Sequence, residues 1–174
     1  LALLDSEQSI LFFDETKPNI LSQNLQIIDV TKILGVGKTR IDIIRNGSFN
    51  FSMQNAENGL KAIDNFVIQP NTEFSFINAS GSKLGKFQVG GGICNSTTTM
   101  FRLALESGFQ ITERHQHFHN IESYSWGYPE NVVDAGYYTG ESANDLKFIN
   151  DLGYPVLLKL EITRDDNNYQ YHTV

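Results

Sequence analysis

The one cysteine of the chain, Cys94, follows Gly90, Gly91, Gly92 and Ile93 and runs straight into Asn95-Ser96-Thr97-Thr98-Thr99-Met100-Phe101. Glycines let a backbone turn sharply and approach a ligand closely. The Asn/Ser/Thr cluster offers N-capping side chains for a helix that begins beside the thiol. Unpaired N–H groups and the positive end of the helix dipole favour thiolate and lower a thiol pKa from its free value of about 8.5. The geometry suits a nucleophile. The backbone N–H groups of Cys94 and Asn95, carried on a turn of Gly91 and Gly92, are candidate donors to the oxyanion of an acyl-transfer intermediate. The plain alternative is a small buried hydrophobe beside a tight turn.

A thiol nucleophile needs a base, and histidine suits that task near neutrality. Three of the four histidines lie in His115-Gln116-His117-Phe118-His119, one short step beyond the Cys94 helix. Glu113, Glu130, Asp134 or the amide of Asn95 could orient the imidazole. Histidines at alternate positions of a strand also present a face able to hold zinc, so His115, His117 and His119, with Cys94 as a sulfur ligand, form a competing reading. The acidic partners that back the ligands of a zinc site are not evident, and no metal or cofactor is expected. His119 and His172, taken singly, receive no role. Tyr124, Trp126, Tyr128, Tyr137 and Tyr138 cluster after the histidines, either as walls of a substrate groove or as a loop folded on its own aromatics.

Positioning these residues falls to a small number of elements. Thr97, Met100, Phe101, Ala104, Leu105 and Gly108 keep the spacing of one buried helix face, with Gly108 as its stop. Phe109 to His117 alternates as a strand whose regular phase would carry Glu113, His115 and His117 on the face that packs against that helix. Upstream, Ala56, Leu60, Ile63 and Val67 predict a helix from about Asn55 to Phe66, closed by Pro70-Asn71 and followed by a strand over Thr72–Phe76. Downstream, Leu146–Phe148, Val156–Ile162 and Tyr169–Tyr171 read as antiparallel strands, with Asp165–Asn168 as a hairpin turn. The expected class is α+β: mostly antiparallel sheet with a few helices, the cysteine at the N-terminus of a central one. Residues 30–174 form one domain in this reading. Residues 1–29, with apolar runs at Ile10–Phe13 and Leu25–Ile28, are edge strands or a linker.

Charge narrows the partners. The 174 residues carry 13 basic against 20 acidic side chains, a formal charge of −7, which disfavours nucleic acid and an anionic membrane surface. A lone cysteine makes no intrachain disulfide and leaves the compartment open. There is no membrane-length apolar run, and the chain starts at Leu1, so any membrane anchor is expected in a segment that this chain lacks. Gly35-Val36-Gly37-Lys38-Thr39 imitates a phosphate-binding loop, but Lys32 stands where that motif needs its first glycine, which dismisses nucleotide binding.

Several segments together resemble the VanW family of bacterial cell-envelope proteins, over roughly Val30 to Ile162. Gly90–Asn95 is similar to the family's GGG-(I/V/L)-C-Q, and Thr97–Phe101 to its S-T-T-(L/V)-(Y/F). Glu113–His117 resembles E-R-(H/R)-x-H, and Ser123-Tyr124 the S-Y that follows. Pro70–Asn78 resembles P-G-E-x-F-S-F-N, and Asp145–Asp151 D-L-K-F-x-N-(D/N). The family takes its name from a glycopeptide-resistance gene cluster, and members have been tied to peptidoglycan crosslinking as cysteine L,D-transpeptidases. The resemblance implies an extracytoplasmic acyltransferase on peptidoglycan stem peptides. It makes Cys94 the nucleophile and His117 the base; Glu113 and His115 are expected beside them, and Thr98, Thr99, Tyr124 and Trp126 are the expected substrate-binding residues. Asn95 replaces the family's Gln, the segment from Gly81 to Gly90 is shorter than usual, and Pro129 replaces an Asp. These departures motivate a second expectation, a binding module that keeps the fold without the chemistry.

Overall fold

The computed structural model describes residues 32–45, 47–80, 91–117, 133–134 and 144–174. The first strand, β1 (Lys38–Asp42), leads through the short β2 (Ile44–Arg45) and β3 (Ser48–Phe49) into helix α1 (Phe51–Lys61). Strands β4 (Val67–Ile68) and β5 (Thr72–Ser75) and a short helix α2 (Phe76–Ser80) follow, and then the longest helix, α3 (Ile93–Ser107). After it come β6 (Gln110–Glu113), β7 (His115–Gln116), β8 (Val133–Asp134), β9 (Lys147–Asn150), β10 (Val156–Leu157), β11 (Glu161–Arg164) and β12 (Tyr169–Thr173). The strands pair antiparallel in small sheets ordered β1-β12-β11, β5-β9-β6, β10-β4, β2-β3 and β7-β8. The class is α+β as expected. The apolar runs at Ile10–Phe13 and Leu25–Ile28 lie outside the described residues. No helix among those residues is long and apolar enough to cross a membrane.

Helix α3 is the central element, packed by α1, β1, β6, β8 and β12. Met100, Phe101 and Ala104 are buried as the spacing demands, whereas Leu105 is 51% exposed and Leu103, outside that spacing, is buried. Below them, Phe74 of β5 stacks on Phe148 of β9 at 4.7 Å between ring centroids, and Phe109 stacks on Phe148 at 5.5 Å. Phe66 meets Phe74 edge-on. This run of aromatic rings gives the β5-β9-β6 sheet its apolar face. Gly108 stops the helix at φ 77°, where its N–H reaches Leu105 O and the N–H of Phe109 reaches Ala104 O.

Helix α1 begins four residues earlier than its apolar spacing suggests and ends at Lys61. Asn50 is its N-cap, with Oδ1 accepting from the Ser52 N–H and hydroxyl, while Nδ2 donates to Asp42 O. Asn50→Ala should lower stability by about 1–2 kcal/mol in a denaturant titration, the usual worth of a cap with a second tertiary bond. Ile63 is nevertheless buried, because the chain continues as a turn before Asn65 takes a positive φ of 63°. Val156–Ile162, which reads as one strand, divides between two sheets: Val156 pairs with Ile68, and Ile162 with His172.

Close packing explains the false phosphate-loop motif. A Cβ on Gly37 would sit 1.9 Å from Thr99 O, and one on Gly35 2.5 Å from Ser107 Oγ, so these glycines let the strand entering β1 lie directly on α3. The D-L-K-F-x-N segment is likewise structural in large part. Asp145 Oδ2 accepts from Ser75 Oγ, and its Oδ1 accepts from the N–H groups of Ile77 and Leu146. The fully buried Asn150 donates to Ile68 O, Gln69 O and Tyr154 O and accepts from the Leu152 N–H. Asn71, at the glycine position of P-G-E, holds φ at 55°, a conformation that glycine and asparagine tolerate.

Candidate thiol site at the head of helix α3

Cys94 is the second residue of α3, half-buried and not part of a disulfide. The residue capping the helix is Gly92, at φ 110° and ψ −25°, with no side chain capping it and no acidic residue in the first turn. The Asn/Ser/Thr cluster expected to cap the helix lies inside it instead, because Gly92 turns the chain two residues earlier. With no acidic residue in that turn, the positive end of the dipole is not offset from within the helix, and the thiol lies beside it.

Gly91 and Gly92 are held against the start of α1. Asn55 Nδ2 donates to Gly91 O at 2.7 Å, and a Cβ on Gly92 would stand 2.1 Å from Ser52 O. Two helix starts therefore converge at the cysteine's turn. The N–H of Asn95, proposed above as an oxyanion donor, donates to Gly92 O at 3.0 Å.

The residues after Cys94 turn inward. Thr97, Thr98 and Thr99 are fully buried. The hydroxyl of Thr98 donates to Cys94 O at 2.6 Å, and that of Thr97 lies within reach of Ile93 O and Cys94 O. Thr99 Oγ1 meets Asn95 O at 2.9 Å and Thr39 Oγ1 at 2.6 Å. Thr98 and Thr99, named above as substrate-binding, thus spend their hydroxyls on the helix and on β1. Asn95 is also fully buried: Oδ1 accepts from Thr39 Oγ1 at 2.9 Å and from His172 Nδ1 at 2.9 Å, and Nδ2 donates to Arg40 O at 3.2 Å. Its amide points into the protein, so the change from the family's Gln alters the packing beneath the thiol.

His172 was passed over in the sequence and is the least expected feature. It is fully buried on β12, its Nε2 2.8 Å from Gln170 Nε2. Gln170 in turn donates to Glu57 Oε2 of α1 at 3.0 Å and accepts from Arg164 Nε at 2.8 Å. Burial pushes the His172 imidazole down to about 4, against a small upward pull from Glu57. The signal for it in the sequence is faint: Gln170 and His172 alternate with Tyr169 and Tyr171, and the polar pair takes the inner face.

The histidine strand is less regular than its alternation implies. Register shifts between Ile111 and Glu113, and the chain breaks from β6 to β7 at Arg114. It is Arg114 that reaches α3, its guanidinium 4.9 Å from the Phe101 ring centroid. His115 turns to Glu113, with Nε2 2.9 Å from Oε1, and Lys147 Nζ lies 2.7 Å from Oε2 of the same carboxylate. Lys147, then His115, hold the Glu113 carboxyl below its usual value. His117 is half-buried just past β7. Strand β7 pairs with β8, which packs on α3, so this hairpin joins the histidine segment to the cysteine's helix. Among the described residues no three His, Cys, Asp or Glu side chains are grouped to hold a metal ion. His119, Tyr124, Trp126, Pro129 and Glu130 lie outside those residues.

A family model described as VanW like protein matches residues 82–171, a span that includes Cys94, Asn95, His115, His117 and Gln170 and ends just before His172. The chain is 28% identical to the Uncharacterized protein YoaR of Bacillus subtilis (strain 168), over 66% of this chain and 40% of that protein. It therefore spans about two fifths of the length of the curated relative it matches. No solved structure matches it.

Proposed function

The chain belongs to the VanW family, and we propose that within it this domain is a cysteine acyltransferase of the cell envelope acting on peptidoglycan stem peptides. The observation that carries this reading is the place of Cys94: a half-buried thiol in the first turn of a helix that is capped by a glycine and has no acidic residue in that turn. Such a setting favours thiolate. Inward-turned Asn95 supports activity as well, because the departure from the family's Gln touches the packing below the turn and leaves the thiol in place.

In the proposed reaction, His117 takes the thiol proton, and the sulfur adds to the carbonyl carbon of a stem-peptide amide. Collapse breaks the C–N bond. The departing amine takes the proton from His117, and the acyl group stays on sulfur as a thioester. An amine from a second stem then attacks, forming a new amide and restoring the thiol, with the amine's proton passing through the same imidazole. His117 is assigned as base over His115 because the E-R-(H/R)-x-H motif that this segment resembles holds histidine at the position of His117 and admits arginine at that of His115. The Glu113–His115–Lys147 cluster orders the neighbouring strand.

Intact-mass measurement after incubation with tetrapeptide stem fragments tests the proposal. The expected result is an acyl adduct on the parent protein, absent from Cys94→Ala, with joined or trimmed stems in solution. Unchanged product formation by Cys94→Ala would reject it. Saturable binding of stems by a folded protein with an alkylatable thiol, and no adduct, would replace it with the binding-module reading.

A further inference from the structure

The first turn of α3 has no side-chain N-cap, although helix starts fray unless something satisfies and anchors them. Asn95 supplies the anchor from the far side. Its backbone closes the turn, with N–H on Gly92 O and O accepting from Thr99 Oγ1, while its side chain is fastened to β1 and β12. We propose that His172 is a positioning residue for Cys94, its Nδ1–H fixing the Asn95 side chain and thereby the turn that carries the thiol. This rests on reading Cys94 as a reactive nucleophile.

The direction of that hydrogen bond follows from its neighbours. An amide nitrogen only donates, so His172 Nε2, facing Gln170 Nε2, must accept. The Gln170 orientation is itself fixed. Its oxygen faces the donor Arg164 Nε and its nitrogen faces the carboxylate of Glu57, and a flipped amide would lose both. The imidazole is therefore neutral with its hydrogen on Nδ1, aimed at Asn95 Oδ1 at 2.9 Å. Glu57 from α1, Arg164 from β11 and Thr39 from β1 thus act on one buried amide through two side chains of β12 and one hydroxyl. Every polar atom of the Asn95 side chain has a partner, which fixes its rotamer.

Three variants separate positioning from bulk stability. His172→Leu removes the donor, Thr39→Val removes the other donor to the same oxygen, and His172→Asn places an amide N–H where Nδ1–H stands. The readout is the rate of Cys94 alkylation by iodoacetamide against pH, followed by intact mass on the full chain, with melting recorded for each variant. The parent should show a midpoint well below the free-thiol value of about 8.5. His172→Leu and Thr39→Val should raise it by about one unit, slowing alkylation at pH 7 about tenfold, and His172→Asn should restore it. A merely structural role would lower the melting temperature and leave the midpoint in place. A parental midpoint in folded His172→Leu or Thr39→Val overturns the proposal, and if His172→Leu fails to fold, Thr39→Val decides it. A low parental midpoint with unshifted variants removes only the positioning role. A parental midpoint near 8.5 removes the nucleophile reading too.

Discussion

Gly92→Ala should lower the stability of this domain by about 3–5 kcal/mol, against about 1–2 for Gly91→Ala one residue earlier. Both glycines have positive φ, 71° at Gly91 and 110° at Gly92, so both substitutions carry a conformational cost. They differ in space. No described residue lies within 4 Å of a Cβ on Gly91, whereas one on Gly92 meets Ser52 O at 2.1 Å and Ser52 C at 2.9 Å. Those atoms are backbone of the first turn of α1, pinned by the Asn50 cap, and cannot yield as a flexible side chain would. The two helix starts must part, and the turn holding Cys94 moves with them. Since a domain's whole stability is about 5–15 kcal/mol, urea titration should find Gly92→Ala near the edge of folding. Equal midpoints for the two variants would show that contact with Ser52 does not hold the turn.

The contrast between these glycines shows what a sequence can and cannot disclose. A run of three glycines announces a backbone need without saying which residue meets it sterically and which by φ alone. The same holds for Gly35 and Gly37, whose motif imitates a phosphate loop while their service is close packing against α3. Apolar periodicity found the face of α3 through Met100, Phe101 and Ala104, and Gly108 as its end, because that face meets a large aromatic core. It missed the start of α1, where the signal is the polar cap Asn50 rather than a hydrophobic residue. It also joined Val156 to Ile162 as one strand, since apolar content alone cannot say that Leu158, Lys159 and Leu160 carry the chain from β4 to β12.

The candidate site was legible where chemistry sits in one local segment and illegible where it is assembled across the chain. Cys94 beside its helix start is such a segment. The backbone N–H of Asn95 was expected at the oxyanion and Thr98 and Thr99 at the substrate, and the fold turns all three side chains inward. The side chains of Asn95 and Thr99 meet Thr39, Arg40 and His172, 55 or more positions away in sequence. Hydropathy would turn Tyr169 and Tyr171 of β12 to the core and leave Gln170 and His172 outside. The opposite phase is stable because the buried polar atoms of that pair are matched by each other and by Glu57, Arg164 and Asn95. The tyrosines instead lie under the cations of β1, with Arg40 4.7 Å from the Tyr169 ring and Lys38 5.1 Å from that of Tyr171.

Burial of a neutral imidazole also predicts how the protein responds to acid. Unfolded, His172 titrates near 6.5; folded, it does so at about 4, because burial disfavours the cation. Between those values the unfolded chain holds a proton that the native one does not, so stability rises with pH across the window and falls as pH drops from 6.5 to 4. The whole interval is worth about 3 kcal/mol. Protonation would also set an Nε2–H against the Gln170 amide N–H, donor against donor. Carboxylates add a separate, lower limb. Glu57, although burial opposes its ionisation, is held below the usual carboxylate value by Lys61 and Gln170, Glu113 by Lys147 and His115, and Asp165 chiefly by the Tyr169 N–H. Each stabilises the fold above its unfolded value and loses that contribution as pH falls through its folded one. Urea titrations from pH 7 to pH 3 should therefore show loss beginning near 6, ahead of any carboxylate. In His172→Asn the curve should be flat down to about 4.5 and then fall as in the parent. A parent that is equally stable at pH 6.5 and pH 4.5 would mean that His172 takes up its proton in the folded state, and the fixed tautomer on which Asn95 depends would go with it.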